Sequence, residues 1–546
     1  MITLGINFNH NSSVSVFKNK KLIYYSQEDR LSKIRKQTGI PFYCLQDVKK
    51  NFSVIDNVVT TGYDYTGCEL VKSYLDYIKI NYKTFFHYYK SHHLIHSILS
   101  FFNSGFNEAV IFVVDGRGSF YNLNDGSIGY ETTSVYKIKK PLILKCIYKK
   151  IFTYSENATN VNFNFEIPVI QKINPFGIDA NTKFELTNQH DLGHFYSLIS
   201  DHLQFTSEEG KLMGLSSYGK FNEKIFKDIN SKDFTKSEKI NLEKYNYLKI
   251  DKNNKNNLKD LAYHTQLKFE NEYESLIKKY VSKENIILTG GTALNVVNNE
   301  KIRNKFENKL YVEPLCGDEG NSIGACQYYL YNNYKFTFKP LKNLYLNPKP
   351  TYNFNLSKNL IIKNVVLNDV VNLLEKGEIV ALFQGSAEAG PRALGNRSLL
   401  IDPRVFNAKK IMNKIKFRES FRPFAGVVLQ KFCKNYFNIN VSKDMMYAVK
   451  CKNIKDIKSI IHIDKTCRIQ TVNKQQNKVL YNILKLFYKK TNIPILMNTS
   501  FNIKSNPIVE TAQDAIDVLS KCNLKYLYFS DINKLVSKKH NIQYER

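Results

Sequence analysis

The sequence predicts an α/β protein with two domains. Two continuous apolar runs, AVIFVVDG at 109–116 and NIILTGG at 285–291, are typical of strands that are covered on both faces. The second run passes through glycines into a helical pattern, ALNVVNN, which is the strand–glycine–helix order that binds nucleotide phosphates. A stretch at 336–360 holds three prolines and shows no clear periodicity. We therefore expect a first domain at 1–340, a linker at 341–360 and a second α/β domain at 361–546.

Inside the first domain, the opening residues predict a β-hairpin followed by a third strand. The apolar stretches MITLGINF, VSVF and LIYYS are separated by the polar turns NHNSS and KNKK. A histidine-bearing segment at 84–103 has a helical pattern. The segments 121–190 and 220–260 are rich in asparagine and lysine and are interpreted as insertions. No internal repeat is visible in the sequence.

Composition and length limit the class of protein. A chain of 546 residues can hold two or three domains with separate cores. No run approaches the roughly 18 apolar residues of a membrane span, and the N-terminus lacks the pattern of a signal peptide. The nine cysteines form no CxxC pair, which argues for reduced thiols and against a zinc ribbon. We expect a cytoplasmic protein with no membrane partner, and a homodimer stays open.

The charge balance indicates a polyanionic partner. The formal net charge is +30, and a charge of this size makes nucleic acid the first candidate. Some of the 36 tyrosines and 36 phenylalanines could stack on bases, although most must lie in the core. The alternative is a lysine-rich, solvated surface without a specific partner, because no compact basic run stands out.

Two histidines and two aspartates form a candidate metal site. His92 and His96 stand four apart in a helical context and therefore share one face of the helix. Asp115 ends an apolar strand, and Asp318 lies in a glycine-flanked turn, EPLCGDEGNSIGA. Two imidazoles with two carboxylates suit Fe(II), Mn(II) or Zn(II), although paired histidines alone are more often packing or surface residues. His93 is the alternative ligand and is expected to face the other way.

The second domain carries a candidate anion site. Six of the eleven arginines fall between 392 and 468, and a guanidinium matches phosphate or carboxylate geometry better than an ammonium does. Lys416 and Arg418 stand two apart, so on a strand both would project from one face toward a single anion. Ser500 and Asn502 have the same spacing and could complete the cradle. The alternative is a set of surface ion pairs that involves two glutamates, Glu388 and Glu419.

Other polar residues of the first domain allow two interpretations. His10 lies on the predicted hairpin turn and could be a general base, a phosphate contact or a solvated side chain. Glu28 with Arg30, and Glu209 with Lys211, could be binding charges or parts of an ordinary helix face and loop.

In their order along the chain, these motifs resemble the ATP-dependent O-carbamoyltransferases, which carbamoylate nodulation factors and antibiotics such as tobramycin and cephamycins. The resemblance runs nearly end to end and rests on GINFNHNSS, the EDR segment, HHLIH, VVDG, GHFY, GKLMGLSSYG, TGGTALN, GDEGNSIGA, GPRALGNRS, KFRESFRPFA, TCRIQTV and NTSFN. It implies an N-terminal domain of the actin/sugar-kinase type, similar to the tRNA threonylcarbamoyl transferases. It also implies a C-terminal domain similar to the threonylcarbamoyl-adenylate synthases.

The resemblance further implies a two-step activity. The second domain would make carbamoyl adenylate from carbamoyl phosphate and ATP with Mg²⁺, and the first would transfer the carbamoyl group to a hydroxyl. Iron or another divalent metal would be held by His92, His96, Asp115 and Asp318. The implied catalytic residues are His10, Lys416, Arg418, Arg468, Ser500 and Asn502. The implied binding residues for nucleotide or carbamoyl phosphate are Lys211, Gly290, Gly291, Asn295, Glu388, Arg392, Arg397 and Asn498.

The acceptor is the least determined part of this interpretation. Asn11 stands where the family usually has aspartate, beside the implied acceptor pocket, and further departures fall at Ser386, Gly426 and Ser505–Asn506. The net charge favours 5-hydroxymethylcytosine in DNA, which would bring a polyanionic backbone and a base turned out of its stack. A sugar, an antibiotic or another small-molecule hydroxyl is the alternative. A tRNA threonylcarbamoyl transferase, using bicarbonate and threonine, and a non-catalytic nucleic-acid-binding relative also stay open.

Overall fold

The computed structural model describes residues 1–62, 65–162, 178, 181–206, 208–236, 239–251, 253–503 and 506–539. The chain divides into two compact units. Unit 1 comprises residues 1–28 and 37–341, and unit 2 comprises residues 29–36 and 342–546. The sequence had assigned 29–36 to the first domain. The structure groups this segment with unit 2, because Arg30 donates to the carbonyl oxygen of Gly390 (2.6 Å) and Lys33 to the carboxylate of Asp514 (2.5 Å).

Unit 1 is built on two sheets with helices between and around them. Its strands are β1 (Ile2–Asn7), β2 (Ser13–Lys18), β3 (Lys21–Gln27), β4 (Ile55–Thr61), β5 (Tyr82–Tyr88), β6 (Glu108–Val114), β7 (Phe120–Asn122), β8 (Ile128–Lys139), β9 (Ile143–Phe152), β10 (Lys183–Thr187), β11 (Ile286–Thr289) and β12 (Leu310–Val312). Its helices, counting α1, which continues into unit 2, are α1 (Glu28–Ser32), α2 (Phe42–Asn51), α3 (Tyr65–Tyr77), α4 (His92–Ser104), α5 (Leu192–His202), α6 (Glu209–Ser216), α7 (Glu223–Ile229), α8 (Lys232–Lys236), α9 (Lys255–Tyr280), α10 (Val296–Lys305) and α11 (Asn321–Tyr334).

The two sheets of unit 1 share one topology. The first has the order β3–β2–β1–β4–β5, and the second runs β10–β9–β8–β6–β11–β12 with β7 paired to β8. In the first, β1 pairs antiparallel with β2 and parallel with β4. In the second, β6 likewise pairs antiparallel with β8 and parallel with β11. Unit 1 therefore contains a structural repeat that the sequence does not show. Strand order can be kept by the pattern of buried residues without keeping the identity of the residues.

Two helices form the centre of unit 1. Helix α4 packs on β6, β8 and β11, helix α11 packs on β1, β2 and β4, and the two helices pack on each other. Nearly all of α4 is buried, which explains why HHLIHSILSFFNS contains no charged residue apart from its histidines. The helix ends at Gly105, whose φ of 72° places it in the left-handed region that favours glycine.

Two expectations about unit 1 were wrong. The predicted helix at 84–103 begins only at His92, because residues 82–88 form β5 and pair in parallel with β4. The segment 121–190, interpreted as an insertion, supplies β8 and β9 to the second sheet, although its residues 163–177 and 179–180 lie outside the described part of the chain. The lysines and threonines of these strands resemble those of a surface segment, although most of β8 and much of β9 are buried.

Unit 2 is built around one mixed sheet. Its strands are β13 (Leu360–Asn364), β14 (Val380–Phe383), β15 (Arg397–Ile401), β16 (Ala425–Leu429), β17 (Ala448–Lys450), β18 (Thr466–Val472), β19 (Ile495–Ser500), β20 (Tyr526–Phe529) and β21 (Lys534–Lys538). Its helices are α12 (Leu367–Glu375), α13 (Ala408–Lys416), α14 (Cys433–Tyr436), α15 (Lys478–Thr491) and α16 (Ala512–Lys521). The strand order is β13–β21–β20–β14–β15–β19–β16–β18–β17. None of the helices in the described part of either unit combines the length and apolar character needed to cross a membrane.

Candidate functional site

The four predicted metal ligands meet at one place in unit 1. His92 and His96 occupy the first turns of α4, Asp115 directly follows β6, and Asp318 opens a 3-10 turn that leads into α11. One ligand atom from each of them lies within 4.8 Å of the other three. The central helix pair thus brings together residues that stand more than two hundred positions apart.

The distances fit a single small cation. The Nε2 atoms of His92 and His96 are 3.2 Å apart, and each lies 3.4 Å from Oδ1 of Asp318. The Oδ2 atom of Asp115 lies 3.7 Å from both Nε2 atoms. Four ligands at about 2.1 Å around one tetrahedral ion would be about 3.4 Å from one another, which is close to the five distances that involve a histidine nitrogen. The mixed imidazole and carboxylate set suits iron, manganese or zinc.

The electrostatics of the cluster also favour a positive charge at its centre. Burial opposes protonation of His92, but the carboxylates of Asp318 and Asp115 outweigh it and raise the pKa of His92 to about 9. Burial would raise the pKa values of both carboxyls, yet the two imidazoles hold them below the ordinary value. Two buried carboxylates therefore need a compensating cation, which a proton on His92 or a metal ion can supply.

Glycines allow the close packing around Asp115. A Cβ on Gly291 would lie 2.9 Å from Oδ1 of Asp115, and one on Gly193 would lie 2.7 Å from its carbonyl oxygen. Gly290 has a φ of +83°, and a Cβ there would lie 2.4 Å from the carbonyl oxygen of Val114. The predicted binding glycines 290 and 291 thus lie beside the metal cluster, and a side chain at either position would displace its strand or its ligand.

Sequence reasoning missed a buried polar network behind the metal ligands. Glu131, on β8, accepts hydrogen bonds from the backbone N–H groups of His93 (3.2 Å) and Ser119 (3.1 Å). Its other oxygen pairs with the buried ammonium of Lys149. Ser119 Oγ in turn accepts from the backbone N–H of His92 (3.1 Å). Glu131 therefore fixes the first turn of α4. Nothing in the sequence indicated this role, because Glu131 lies in the segment that was interpreted as an insertion.

His93 lies outside the metal cluster, in the direction that the sequence predicts. Its Nδ1 lies 2.8 Å from Oγ of Ser134, in the polar network of Glu131. Burial lowers the pKa of His93 to about 3, so the ring is neutral at physiological pH.

The turn that carries His10 lies against the Asp318 turn. Asn7 donates to the carbonyl oxygens of His10 (3.3 Å) and Asp318 (3.0 Å). Asn11 donates to Oε2 of Glu319 (3.1 Å). The backbone of the His10 turn is thus tied to the segment that carries Asp318, one of the candidate metal ligands.

The remaining candidates of unit 1 make local contacts. Lys211 pairs with Glu208 three residues before it on the chain. Asn295 caps α10 by accepting from the backbone N–H of Asn298 (3.0 Å), and its amide also donates to Gln266 (2.9 Å). Glu28 accepts from the first backbone N–H groups of α2, so it acts as a helix cap rather than a binding charge.

In unit 2, Lys416 joins the two short motifs. Its Nζ lies 2.5 Å from the carbonyl oxygen and 3.2 Å from Oγ of Ser500, and 3.0 Å from the carbonyl oxygen and 2.7 Å from Oδ1 of Asn502. The expectation that Lys416 and Arg418 share a strand face was wrong. Lys416 ends α13, and Phe417 then takes a φ of 49°, so the chain turns sharply before Arg418.

Lys416 belongs to a cluster of positive charges. Burial, followed by the charges of Arg418 and Arg422, holds the pKa of Lys416 well below its ordinary value. Arg35, from the segment 29–36, acts in the same direction. The pKa of Arg468 is likewise lowered, first by burial and then by Arg392 and Arg418. Cations that repel one another in a partly buried site indicate a ligand of high negative charge.

Three other residues predicted to bind the anion contact the backbone of unit 2. Arg397 is fully buried, and its guanidinium donates to the carbonyl oxygens of Gln384 (2.6 Å), Asn396 (3.0 Å) and Glu510 (3.2 Å). Oε1 of Glu388 accepts from the backbone N–H groups of residues 394, 396 and 397. Asn498 donates to the carbonyl oxygen of Ala393 (3.2 Å). These contacts shape the 388–397 loop, while Nε of Arg397, Oε2 of Glu388 and Oδ1 of Asn498 are buried without a hydrogen-bond partner in the described part of the chain. The assignment of the three residues to the ligand site stays a prediction.

Comparisons with known proteins agree on one family. A model of the carbamoyltransferase N-terminus matches residues 58–279 and 268–327, and a model of the carbamoyltransferase C-terminus matches residues 371–538. An uncharacterized protein of Methanocaldococcus jannaschii is 30% identical, over 98% of this chain and 99% of its own length. The nodulation protein NolO of Bradyrhizobium diazoefficiens is 25% identical, over 78% of this chain and 75% of its own length.

A solved structure adds little to this comparison. The activator of the 2-hydroxyisocaproyl-CoA dehydratase from Clostridium difficile with bound ADPNP covers 61% of this chain and 95% of its own, at 15% identity. Its TM-score of 0.34 is too low to carry an argument. The family models, by contrast, match both units over most of their length, and the chain belongs to the carbamoyltransferase family.

Proposed function

We propose that this carbamoyltransferase is ATP-dependent and works in two steps. Unit 2 forms carbamoyl adenylate, and unit 1 transfers the carbamoyl group to an acceptor hydroxyl at the metal cluster. The observation that carries the proposal is the ammonium of Lys416, held between Ser500 and Asn502 and surrounded by arginines. The doubled sheet topology of unit 1 supports an actin/sugar-kinase type of domain for the second step.

The atom balance defines the products of the first step. Carbamoyl phosphate, ATP and one water give carbamoyl adenylate, inorganic phosphate and pyrophosphate. Water first cleaves the bond between the carbamoyl and phosphate groups of carbamoyl phosphate, which gives carbamate and inorganic phosphate. A carbamate oxygen then forms a bond to the α-phosphorus of ATP, and the bond between the α-phosphorus and the oxygen that bridges to the β-phosphate breaks. In the second step the acceptor oxygen bonds to the carbamoyl carbon, its proton passes to a base and AMP leaves.

The cations of unit 2 suit this chemistry. Two phosphorylated substrates, with Mg²⁺ on the ATP, bring several negative charges into one site, and the charge redistributes as pyrophosphate leaves. Lys416 and Arg418 are held in place by contacts with backbone carbonyl oxygens, which is the preorganisation that stabilises developing charge. Arg468 adds a buried cation to the same cluster. Arg392 and Arg422 add to the same positive field.

The residues of unit 1 suit the transfer step. A divalent metal, iron or another, bound by His92, His96, Asp115 and Asp318 would supply a Lewis acid for the carbamoyl oxygen. His10, on the turn tied to the Asp318 segment, would accept the proton of the acceptor hydroxyl. Glu131 would keep the first turn of α4 in register, so that the two histidines keep their mutual distance.

For the acceptor we propose the hydroxymethyl group of 5-hydroxymethylcytosine in DNA. A formal net charge of +30 is what a polyanionic acceptor needs, whereas a neutral sugar or antibiotic gives no reason for it. The hydroxymethyl group would have to leave the base stack to reach a buried metal cluster. A small-molecule hydroxyl is the competing acceptor, and it changes only the second step.

The donor chemistry can be tested without knowing the acceptor. Purified protein is incubated with ATP, Mg²⁺ and carbamoyl phosphate, and phosphate and pyrophosphate are measured separately. We expect pyrophosphate release that depends on carbamoyl phosphate. Release that instead requires bicarbonate and threonine would identify a threonylcarbamoyl enzyme and contradict the proposal.

A further inference from the structure

Unit 2 has an open cavity beside the predicted anion site. Its volume is about 880 Å³, and its lining comes from one stretch of chain, residues 406–420, which includes α13. Only Arg418 and Glu419 of the lining were considered in the sequence analysis, so most of this surface has no assigned role.

The cavity carries an excess of positive charge. Lys409, Lys410, Lys414 and Arg418 line it together with a single carboxylate, that of Glu419, which lies 3.7 Å from Arg422. In the part of the chain that the structure describes, no ion pair joins the three lysines to a carboxylate. Burial and the charge of Arg418 lower the pKa of Lys409. The lining is therefore electrostatically unbalanced and suits an extended anion.

The placement of the lysines is unfavourable for the helix itself. Lys409 and Lys410 stand in the first turn of α13, which has no acidic residue and no side-chain cap. Positive charge there opposes the helix dipole, and the like charges of Lys410 and Lys414, one turn apart, repel each other. An anion bound along this face would offset both the unfavourable interaction with the helix dipole and the repulsion between the lysines. Without a bound anion both would remain.

Two exposed aromatic rings lie among the cations. Phe406 is 95% exposed and Phe417 is 61% exposed, and both line the cavity. Exposed phenylalanines beside lysines are the combination that single-stranded nucleic acid uses, since bases stack on the rings while phosphates meet the ammonium groups. An acidic peptide would need the lysines but would give no reason for two exposed rings.

We propose that the α13 cavity binds a single-stranded stretch of DNA, with its phosphates on Lys409, Lys410 and Lys414 and its bases on Phe406 and Phe417. The inference extends the proposed DNA acceptor and rests on it for its biological meaning. The surface would bind the strand and would take no part in the chemical steps.

The test is a binding titration with a short fluorescent single-stranded oligonucleotide, followed by anisotropy from about 50 to 200 mM salt. Replacing Lys409, Lys410 and Lys414 by glutamine should reduce the slope of log affinity against log salt by about 2, since each lost phosphate contact removes about 0.7. The double variant Phe406→Ala, Phe417→Ala should weaken binding about tenfold without a change of slope. The matched control replaces three exposed lysines of α15, namely Lys478, Lys485 and Lys489, by glutamine, and its slope should change little.

Enzyme assays on the same variants separate this inference from the proposed function. Pyrophosphate release, and carbamoylation of free 5-hydroxymethyldeoxycytidine, should stay at the wild-type level in the lysine and phenylalanine variants. Equal losses of binding in the α15 control would show a diffuse charge effect and overturn the inference. A raised KM for ATP would assign the cavity to the nucleotide substrate instead. Binding of polyglutamate that is as tight as binding of DNA, and indifferent to the phenylalanines, would assign it to an acidic protein.

Discussion

Replacing Lys416 by methionine removes the charge at the centre of the unit 2 site while keeping an unbranched side chain of similar length. The ammonium contacts four uncharged oxygen atoms of Ser500 and Asn502 at 2.5 to 3.2 Å. Losing it leaves two backbone carbonyls without this donor, at about 1–3 kcal/mol each. The same change removes a buried cation that its arginine neighbours repel. We expect these effects to oppose each other, with a net change in unfolding free energy of about 3 kcal/mol or less.

The effect on catalysis should be larger. Removing one preorganised donor from a developing negative charge typically lowers the rate by about 10²–10³, which is about 3–4 kcal/mol. The assay is pyrophosphate release dependent on carbamoyl phosphate, measured beside urea unfolding of the same protein. The control is Lys414→Met, on the same helix but exposed, which should keep full activity. Lys416→Met with activity within tenfold of wild type would refute the assignment of Lys416 to the adenylation site.

Three further predictions address other parts of the molecule. Asp318→Asn should lower the metal content measured by elemental analysis while pyrophosphate release continues, and unchanged metal content would exclude Asp318 as a ligand. Arg397→Gln should lower the free energy of unfolding, measured with urea, by about 3 kcal/mol or more, because three carbonyl oxygens lose a buried donor. Unchanged stability with a raised KM for carbamoyl phosphate would instead assign Arg397 to the ligand site. Burial raises the pKa of Glu510 to about 6, so ionisation favours the unfolded state as pH rises from about 4.5 through 6. Glu510→Gln should therefore gain up to about 2 kcal/mol relative to wild type at pH 8 and nothing at pH 4, and an equal change at both pH values would contradict this origin.

Local spacing in the sequence indicated the four candidate metal ligands, which the family resemblance also implied. A separation of four residues places His92 and His96 on one helix face, and Asp115 and Asp318 stand where a strand ends and a helix begins. These relations depend on helix and strand periodicity, which a sequence carries directly. That the two pairs meet depends on the packing of α4 against α11, which only the structure shows.

The roles of the arginines and of Glu131 could not be predicted in the same way. A guanidinium has the same appearance in a sequence whether it faces a ligand or, as with Arg397 at the start of β15, three backbone carbonyls. Glu131 lies on a strand whose lysines and threonines resemble a surface segment. Its charge can be buried only because Lys149, eighteen positions later on the chain, compensates it. Charge compensation between residues this far apart leaves no periodic pattern in the sequence.

The most direct test of the account is mass spectrometry of nucleosides from DNA containing 5-hydroxymethylcytosine, after incubation with the protein, isotope-labelled carbamoyl phosphate, ATP and ferrous iron. The account predicts a labelled carbamoyl group on that nucleoside, with AMP formed in equal amount. AMP and pyrophosphate without label on the nucleoside would contradict the DNA acceptor and redirect the search to small-molecule hydroxyls. Labelled nucleoside without any AMP would contradict the adenylate intermediate itself.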